Sequence, residues 1–115
     1  LLSSIMGIQP PKFEIYKGTK LNSSIEYGAI KSGIISITKY LAKLYKNRNI
    51  KINCISPGGI FDNQPKKFIK QYRQVCNSKG LLSAADLIPA FKYLLDEDNT
   101  VTTGQNIIVD DGWSI

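Results

Sequence analysis

The sequence predicts an α/β domain built on a parallel sheet, and three observations carry that prediction. Short apolar segments typical of buried strands alternate with longer segments whose apolar residues recur every three or four positions. The strand-like segments end at Gly, Pro or Asp, residues that commonly close strands and open loops. The strands lie too far apart along the chain for hairpin pairing, so we expect right-handed crossovers and helices covering the sheet.

The first half of the chain contains a strand end, a long loop and the longest helix. Residues 1–5 have the composition of the tail of a strand, and residues 7–24, which contain Pro, Gly and Asn, predict an irregular loop. Residues 25–47 predict a helix with one buried face. The apolar residues that define this face are Ile30, Ile34, Ile37, Leu41 and Leu44.

The second half predicts two strands and two helices. Residues 51–56 form a strand that Pro-Gly-Gly ends, and residues 65–77 form a short amphipathic helix. A helix over residues 83–95 begins with a Ser followed three positions later by Asp, a capping-box pattern, and residues 105–109 are the last strand. Three strands, the first cut short, are fewer than a doubly wound sheet needs. We therefore expect residues 1–115 to be one part of such a domain, with its first strands missing.

The chain is basic, with a formal net charge of +6 and a pI of about 9.4. Only Arg48 and Arg73 of its 15 basic residues are Arg, and the Lys residues are spread along the chain. A nucleic-acid site usually clusters its basic residues and interleaves aromatic ones, so we expect neither nucleic-acid nor membrane binding. No apolar segment approaches the roughly 20 residues of a membrane span. These features predict a soluble, cytoplasmic protein.

The sequence disfavours metal chemistry and catalysis by a Ser-His-Asp triad. It contains no His, which is the commonest metal ligand and general base. Its two thiols, Cys54 and Cys76, are not spaced as a metal-binding pair. We therefore expect no metal site.

Tyr27 and Lys31 form a candidate acid-base pair. They are four positions apart in YGAIK, so both side chains leave the same face of the predicted helix. A free phenol is a poor acid-base group at neutral pH, because its ordinary pKa is near 10. An ammonium about 4 Å from a phenolate stabilises it by roughly 4 kcal/mol at an effective dielectric constant near 20. The pair therefore predicts proton transfer by the phenol.

Four sequence blocks in order resemble the classical short-chain dehydrogenase/reductase family. They are SSIMG at residues 3–7, YGAIK at 27–31, NCISPGGI at 53–60 and TGQ with VDDG within 103–112. The corresponding family patterns are SSxxG, YxxxK, N-x-x-S-P-G and TGQ-x-x-x-VDGG, with Asp111 here in place of a Gly. The resemblance covers nearly the whole chain and is that of the C-terminal half of the family's Rossmann-type fold.

The resemblance implies an NAD(P)-dependent oxidoreductase and assigns roles to individual residues. Ser4 would hold the substrate oxygen, Tyr27 would act as acid or base, and Lys31 would assist Tyr27 and bind the nicotinamide ribose. The family's Gly-rich turn and its NAD or NADP selector would precede Leu1, so the choice between NAD and NADP stays open. The residues expected to contact the cofactor are Tyr27, Lys31, Pro57, Gly58, Gly59 and Ile60.

The sequence departs from the family pattern at two places near the expected site. Asp62 stands where the family usually has a Thr that contacts the cofactor, and the interval between Ser4 and Tyr27 contains an insertion. We expect this inserted loop to form one wall of the substrate pocket and residues 61–72 to form the other. The residues in these walls that could bind a sugar ring or a phosphate are Lys12, Phe13, Tyr16, Lys17, Lys20, Lys66, Lys67 and Lys70.

Within the family, the segments around Tyr27 and Pro57 resemble oxidoreductases of surface-glycan and flagellin modification. A nucleotide-linked or phosphorylated sugar is the substrate class that this resemblance implies, and a homodimer or homotetramer is the implied assembly. Tyr72 and Trp113 are expected in the core or at subunit contacts, without a role in the site. Two alternatives stay open: a nucleotide-sugar epimerase or dehydratase, and an inactive fragment that serves only in assembly.

Overall fold

A parallel sheet lies at the centre of the computed structural model, which describes all 115 residues. Strand β1 (Cys54–Pro57) pairs in parallel with strand β2 (Asn106–Val109), and Leu2 makes a parallel bridge to Ile55. The predicted parallel pairing is therefore confirmed. The predicted strand over residues 1–5 is wrong in extent, because the chain leaves the sheet after this bridge and turns into the 3-10 helix Ile5–Gly7.

Helix α1 (Ile25–Leu44) is the longest element, as the apolar periodicity predicts. The expected burial of its apolar face is wrong for residues 1–115, because no element of this chain covers Ile30, Ile37 and Leu44, which are exposed. The Ser24 hydroxyl caps it by accepting a hydrogen bond from the Tyr27 N–H at 3.4 Å. The helix ends three residues earlier than predicted. Asn47 and Asn49 adopt positive φ angles of 67° and 53°, and a right-handed helix cannot continue through such residues.

Helix α2 (Lys66–Arg73) and helix α3 (Ile88–Leu95) are both shorter than predicted. The predicted capping box of Ser83 and Asp86 is present, but it starts the 3-10 helix Ala84–Leu87. The α-helix begins only after this turn and carries a Pro in its own first turn, a position where the missing N–H costs no intrahelical hydrogen bond. No helix is long and apolar enough to cross a membrane.

The inserted loop is anchored on the hydrophobic core. It contains a 3-10 helix, Phe13–Tyr16, whose Ile15 is fully buried. Aromatic rings then run from this loop through α2 to the end of the chain. Ring centroids are 5.5 Å apart for Tyr16 and Phe68, 5.7 Å for Phe68 and Tyr72, and 6.2 Å for Tyr72 and Trp113. We call this group of four rings the aromatic row.

Candidate active site

A cavity of about 710 Å³ opens where the chain leaves β1 and where it leaves the Leu2 bridge. The ends of parallel strands are where α/β proteins usually bind ligands. The cavity brings together the residues that the sequence predicts for catalysis and for cofactor contact: Ser4, Tyr27, Lys31, Pro57, Gly58, Gly59 and Ile60.

Two glycines allow α1 to lie against the segment that carries Ser4. A Cβ on Gly7 would be 2.6 Å from the Lys31 carbonyl carbon, and one on Gly28 would be 3.3 Å from the Met6 carbonyl oxygen. The Ser32 hydroxyl donates to the Gly7 carbonyl at 2.9 Å across this crossing. The Gly of SSxxG therefore lets the helix approach the strand end closely.

The two serines of this segment have different partners. Ser3 is buried, and its hydroxyl donates to the Lys31 carbonyl oxygen at 2.6 Å, which fixes α1 to the strand end. The Ser4 Oγ accepts the Met6 N–H at 3.2 Å and lines the cavity. Because Ser4 uses its oxygen in this contact, its hydroxyl proton can still be donated to a ligand.

Tyr27 and Lys31 lie on the same face of α1, as their spacing predicts. The Lys31 Nζ is 5.5 Å from the centre of the Tyr27 ring and donates to the Leu2 carbonyl oxygen at 3.3 Å. Tyr27 is 45% exposed and lines the cavity. The helix thus presents a phenol and an ammonium side by side in the cavity.

Gly58 and Gly59 let the backbone after β1 lie close to Asp110, Leu81 and Tyr72. A Cβ on Gly58 would be 3.0 Å from the Asp110 Cα, and a Cβ on Gly59 would be 2.7 Å from Leu81 Cδ2 and 2.9 Å from Tyr72 Cζ. Protein atoms therefore fill the side of each glycine where a Cβ would stand, while both residues also line the cavity. Backbone that lines a cavity can hold a flat ligand ring by main-chain contacts.

The two segments predicted as pocket walls contribute further residues to the cavity that were not named individually for the site from the sequence, and Leu81 joins them from outside both segments. Phe68, Tyr72 and Leu81 form an apolar wall, while Asn22, Ser23, Ser24 and Gln64 add polar groups. Tyr72 was expected in the core, and it is buried, but its hydroxyl also accepts the Gly59 N–H at 2.6 Å. Burial raises the pKa of Tyr72. No feature of the sequence indicates this contact, because Tyr72 follows the same helical period as an ordinary core residue.

The lysines expected in the pocket walls are not among the residues that line the cavity. The Lys12 Nζ instead lies 5.0 Å from the centre of the Trp113 ring. Of the aromatic residues expected in the inserted loop, Tyr16 lines the cavity, but Phe13 is 61% exposed and lies in a neighbouring depression. Lys31 is the only cationic side chain in the cavity lining.

The remaining residues of the motifs hold the strands in register. The Asn53 side-chain amide donates to the Thr102 carbonyl oxygen at 2.9 Å and accepts the Gln105 N–H at 3.0 Å. The buried Ser56 hydroxyl donates to Asn106 Oδ1 at 2.7 Å. These contacts join the blocks around β1 and β2, which are about 50 positions apart in sequence, and so fix the strand end that carries Pro57.

Known proteins share the sequence pattern and the fold of this chain. A family model described as enoyl-(acyl carrier protein) reductase matches residues 16–114. A crystal structure of a short-chain dehydrogenase from Leptospira borgpetersenii with bound NAD+ is 37% identical, with a TM-score of 0.91 over 99% of this chain and 43% of that chain. This chain belongs to the short-chain dehydrogenase/reductase family.

Curated members of the short-chain dehydrogenase/reductase family include two informative relatives. The Campylobacter coli post-translational flagellin modification protein A is 46% identical over 114 residues, which are 99% of this chain and 44% of the relative. The Bacteroides fragilis 7alpha-hydroxysteroid dehydrogenase is 34% identical over 94 residues, which are 77% of this chain and 36% of the relative. The chain therefore spans less than half the length of these relatives.

Proposed function

We propose that this chain supplies the proton-transfer site of an NAD(P)-dependent oxidoreductase that acts on a carbonyl or hydroxyl group of a sugar-type metabolite. One observation carries the proposal: a single cavity is lined by Ser4, Tyr27, Lys31 and the Gly58–Gly59 backbone, which come from three separate parts of the chain. A phenol, an ammonium, a serine hydroxyl and bare backbone are the groups that such a reaction requires.

In the reductive direction Ser4, Tyr27 and Lys31 have different roles in protonating the carbonyl oxygen. Ser4 donates a hydrogen bond to this oxygen and holds it beside Tyr27. Tyr27 transfers its proton to the oxygen as the C–H bond forms at carbon, and Lys31 stabilises the phenolate that remains. Solvent can return the proton, since Tyr27 is partly exposed. Alcohol oxidation runs through the same steps in reverse.

The residues after β1 fit a nicotinamide. Pro57, Gly58, Gly59 and Ile60 line the cavity, and the Ile60 N–H has no protein acceptor, so it is available to a ligand carboxamide. NAD or NADP would supply or take up the hydride at this position. The family members with bound NAD+ and with bound NADP support this choice of cofactor.

The lining of the cavity supports a sugar-type substrate. Neutral polar side chains at Asn22, Ser23 and Ser24 share the cavity with the rings of Tyr16 and Phe68. Sugars present hydroxyl groups together with an apolar C–H face, which suits such a mixed wall. The likeness to a flagellin modification protein supports the same class, and we include in the proposal an assembly into homodimers or homotetramers.

The test uses a fusion enzyme, defined as the Campylobacter coli relative in which this chain replaces the matching 44%. Tyr27→Phe keeps the ring but removes the transferable proton. We expect the rate of carbonyl reduction to fall about 100-fold to 10,000-fold, the range of general acid catalysis. The measurement is NADH oxidation with a nucleotide-linked keto sugar and with a small neutral ketone.

Tyr93→Phe is the matched control, because Tyr93 is half exposed and its hydroxyl contacts Thr102 rather than the cavity. We expect this variant to keep the parent rate. A Tyr27→Phe variant with a near-normal rate would exclude Tyr27 as the acid. A folded fusion enzyme that prefers the small ketone would refute the sugar-type substrate.

A further inference from the structure

Residues 58–62, which we call segment 58–62, form backbone hydrogen bonds with Val109 and Leu82. The Gly58 N–H donates to the Val109 carbonyl oxygen at 2.8 Å. Leu82 then pairs with the segment on both sides, since its N–H donates to the Gly59 carbonyl at 2.8 Å and its carbonyl accepts the Phe61 N–H at 2.7 Å. These bonds fix the start and the middle of the segment.

Two side chains complete the hydrogen bonding of segment 58–62. The Tyr72 hydroxyl accepts the Gly59 N–H at 2.6 Å. The Gln64 side-chain amide donates to the Ile60 carbonyl oxygen at 2.8 Å and accepts the Asp62 N–H at 2.8 Å. Asp62 is the position where the family usually has a Thr, and in this chain the backbone N–H of that position is paired with the Gln64 side chain.

As a result, all but one of the backbone N–H groups of segment 58–62 are paired within the protein. The N–H groups of Gly58, Gly59, Phe61 and Asp62 each have a protein acceptor. That of Ile60 has none. A backbone amide that is rigidly held and unpaired is prepared for a ligand acceptor, because its position no longer has to be ordered on binding.

We infer that Tyr72 and Gln64 are positioning residues that hold segment 58–62 in the conformation that offers the Ile60 N–H to the cofactor. The inference rests on the proposed function, since it assumes that the cofactor binds at this segment. Tyr72 lies on α2, and Gln64 lies just before that helix. Helix α2 and the residue two positions before it thus set the geometry of the cofactor contact.

The test compares Tyr72→Phe and Gln64→Ala with the parent fusion enzyme. Tyr72→Phe leaves the ring in the core and removes only the acceptor for the Gly59 N–H. We expect the Kd for NADH, measured by fluorescence titration, to rise about threefold to tenfold in each variant, the effect of one neutral hydrogen bond. The KM for NADH should rise with it by a similar factor.

Hydrogen-deuterium exchange of peptides that cover residues 57–64 gives a second readout, which is independent of turnover. We expect faster deuterium uptake in both variants, because the segment loses a hydrogen bond. Tyr93→Phe and Gln74→Ala are the matched controls, since both side chains are exposed and neither is among the residues that line the cavity. They should leave both readouts unchanged.

The possible results separate this inference from the proposed function. Faster uptake with weaker NADH binding supports both. Unchanged uptake, or faster uptake with unchanged NADH affinity, overturns the positioning role. If the parent fusion enzyme folds and binds no NADH, the proposed function fails, and the role of Tyr72 and Gln64 in ordering the segment is then decided by deuterium uptake alone.

Discussion

At the scale of single residues, Asp111 stands where the family pattern has a Gly, and it adopts the backbone conformation that favours Gly, with φ of 55°. Its carboxylate accepts the N–H groups of Ser78 at 3.1 Å, Lys79 at 2.5 Å and Gly80 at 2.7 Å. The Ser78 hydroxyl adds a fourth bond at 2.7 Å. These hydrogen bonds, of which that from Gly80 contributes most, lower the pKa of Asp111 to about 2.

The lowered pKa predicts how stability depends on pH. The folded value of about 2 lies below the ordinary value of 3.8, so the ionised carboxylate stabilises the fold above pH 4, and this contribution is lost as the pH falls toward 2. We expect Asp111→Asn to lower the thermal midpoint of the fusion enzyme at pH 7 and to weaken its dependence on pH between 4 and 2. Asp98→Asn, at an exposed position, is the control and should change neither. If the thermal midpoint of Asp111→Asn fell between pH 4 and 2 as steeply as that of the parent, the stabilising role of the Asp111 carboxylate would be refuted.

The residues of the site divide into those that the sequence can reveal and those that it cannot. Ser4, Tyr27 and Lys31 could be predicted because the motif spacing specifies them. Tyr72 and Gln64 could not, since each acts on backbone groups, and backbone groups leave no mark in sequence. The Tyr72 contact also joins positions 13 apart, across a loop and most of α2, whose path only the tertiary structure defines.

At the scale of elements, the crossing of α1 over the Ser3–Gly7 region sets the distance between Ser4 and Tyr27. The backbone of this region and that of α1 are in contact through Ser3, Gly7 and Ser32. The period of the helix was visible in the sequence, but its close crossing was indicated only by the Gly of the motif.

A matched pair of glycine substitutions tests this crossing. Gly7→Ala places a Cβ 2.6 Å from the Lys31 carbonyl carbon, so the helix must move away. We expect the fusion enzyme to lose about 1–3 kcal/mol of stability, as in other overpacked sites, together with most of its kcat. The measurements are chemical unfolding and steady-state kinetics.

Gly33→Ala is the control, because a Cβ at this position in α1 has no neighbour within 4 Å. Ala is favoured over Gly inside a helix by roughly 0.5–1 kcal/mol, so this variant should be as stable as the parent or more stable. Equal losses in the two variants would show that the close crossing does not matter.

At the scale of the whole molecule, α1 exposes much of its apolar surface. Ile30 is 63% exposed, and Ile37, Tyr40 and Leu44 are also exposed. Leu2 pairs on only one side, with Ile55, so a sheet edge is open beside this helix. Large exposed apolar faces and open strand edges are sites of association.

We therefore expect the 115-residue chain by itself to self-associate. Sedimentation velocity should detect species larger than the monomer, and a dye that binds apolar surface should become strongly fluorescent. The fusion enzyme should bind much less dye, because its additional strands and helices cover the same surface. A monomeric chain with cooperative unfolding and little dye binding would contradict this expectation.

The aromatic row has a consequence for changing the substrate of such an enzyme. Its rings join the inserted loop, α2 and the C-terminal turn, and Tyr72 belongs both to the row and to the contact with Gly59. A substitution that enlarges the cavity at Phe68 would therefore also shift Tyr72, because interiors are packed too closely to absorb a lost ring locally. Under the proposed function, selectivity for the substrate and affinity for the cofactor would therefore be linked through Tyr72. Variants engineered for a new substrate will then also need their cofactor affinity restored.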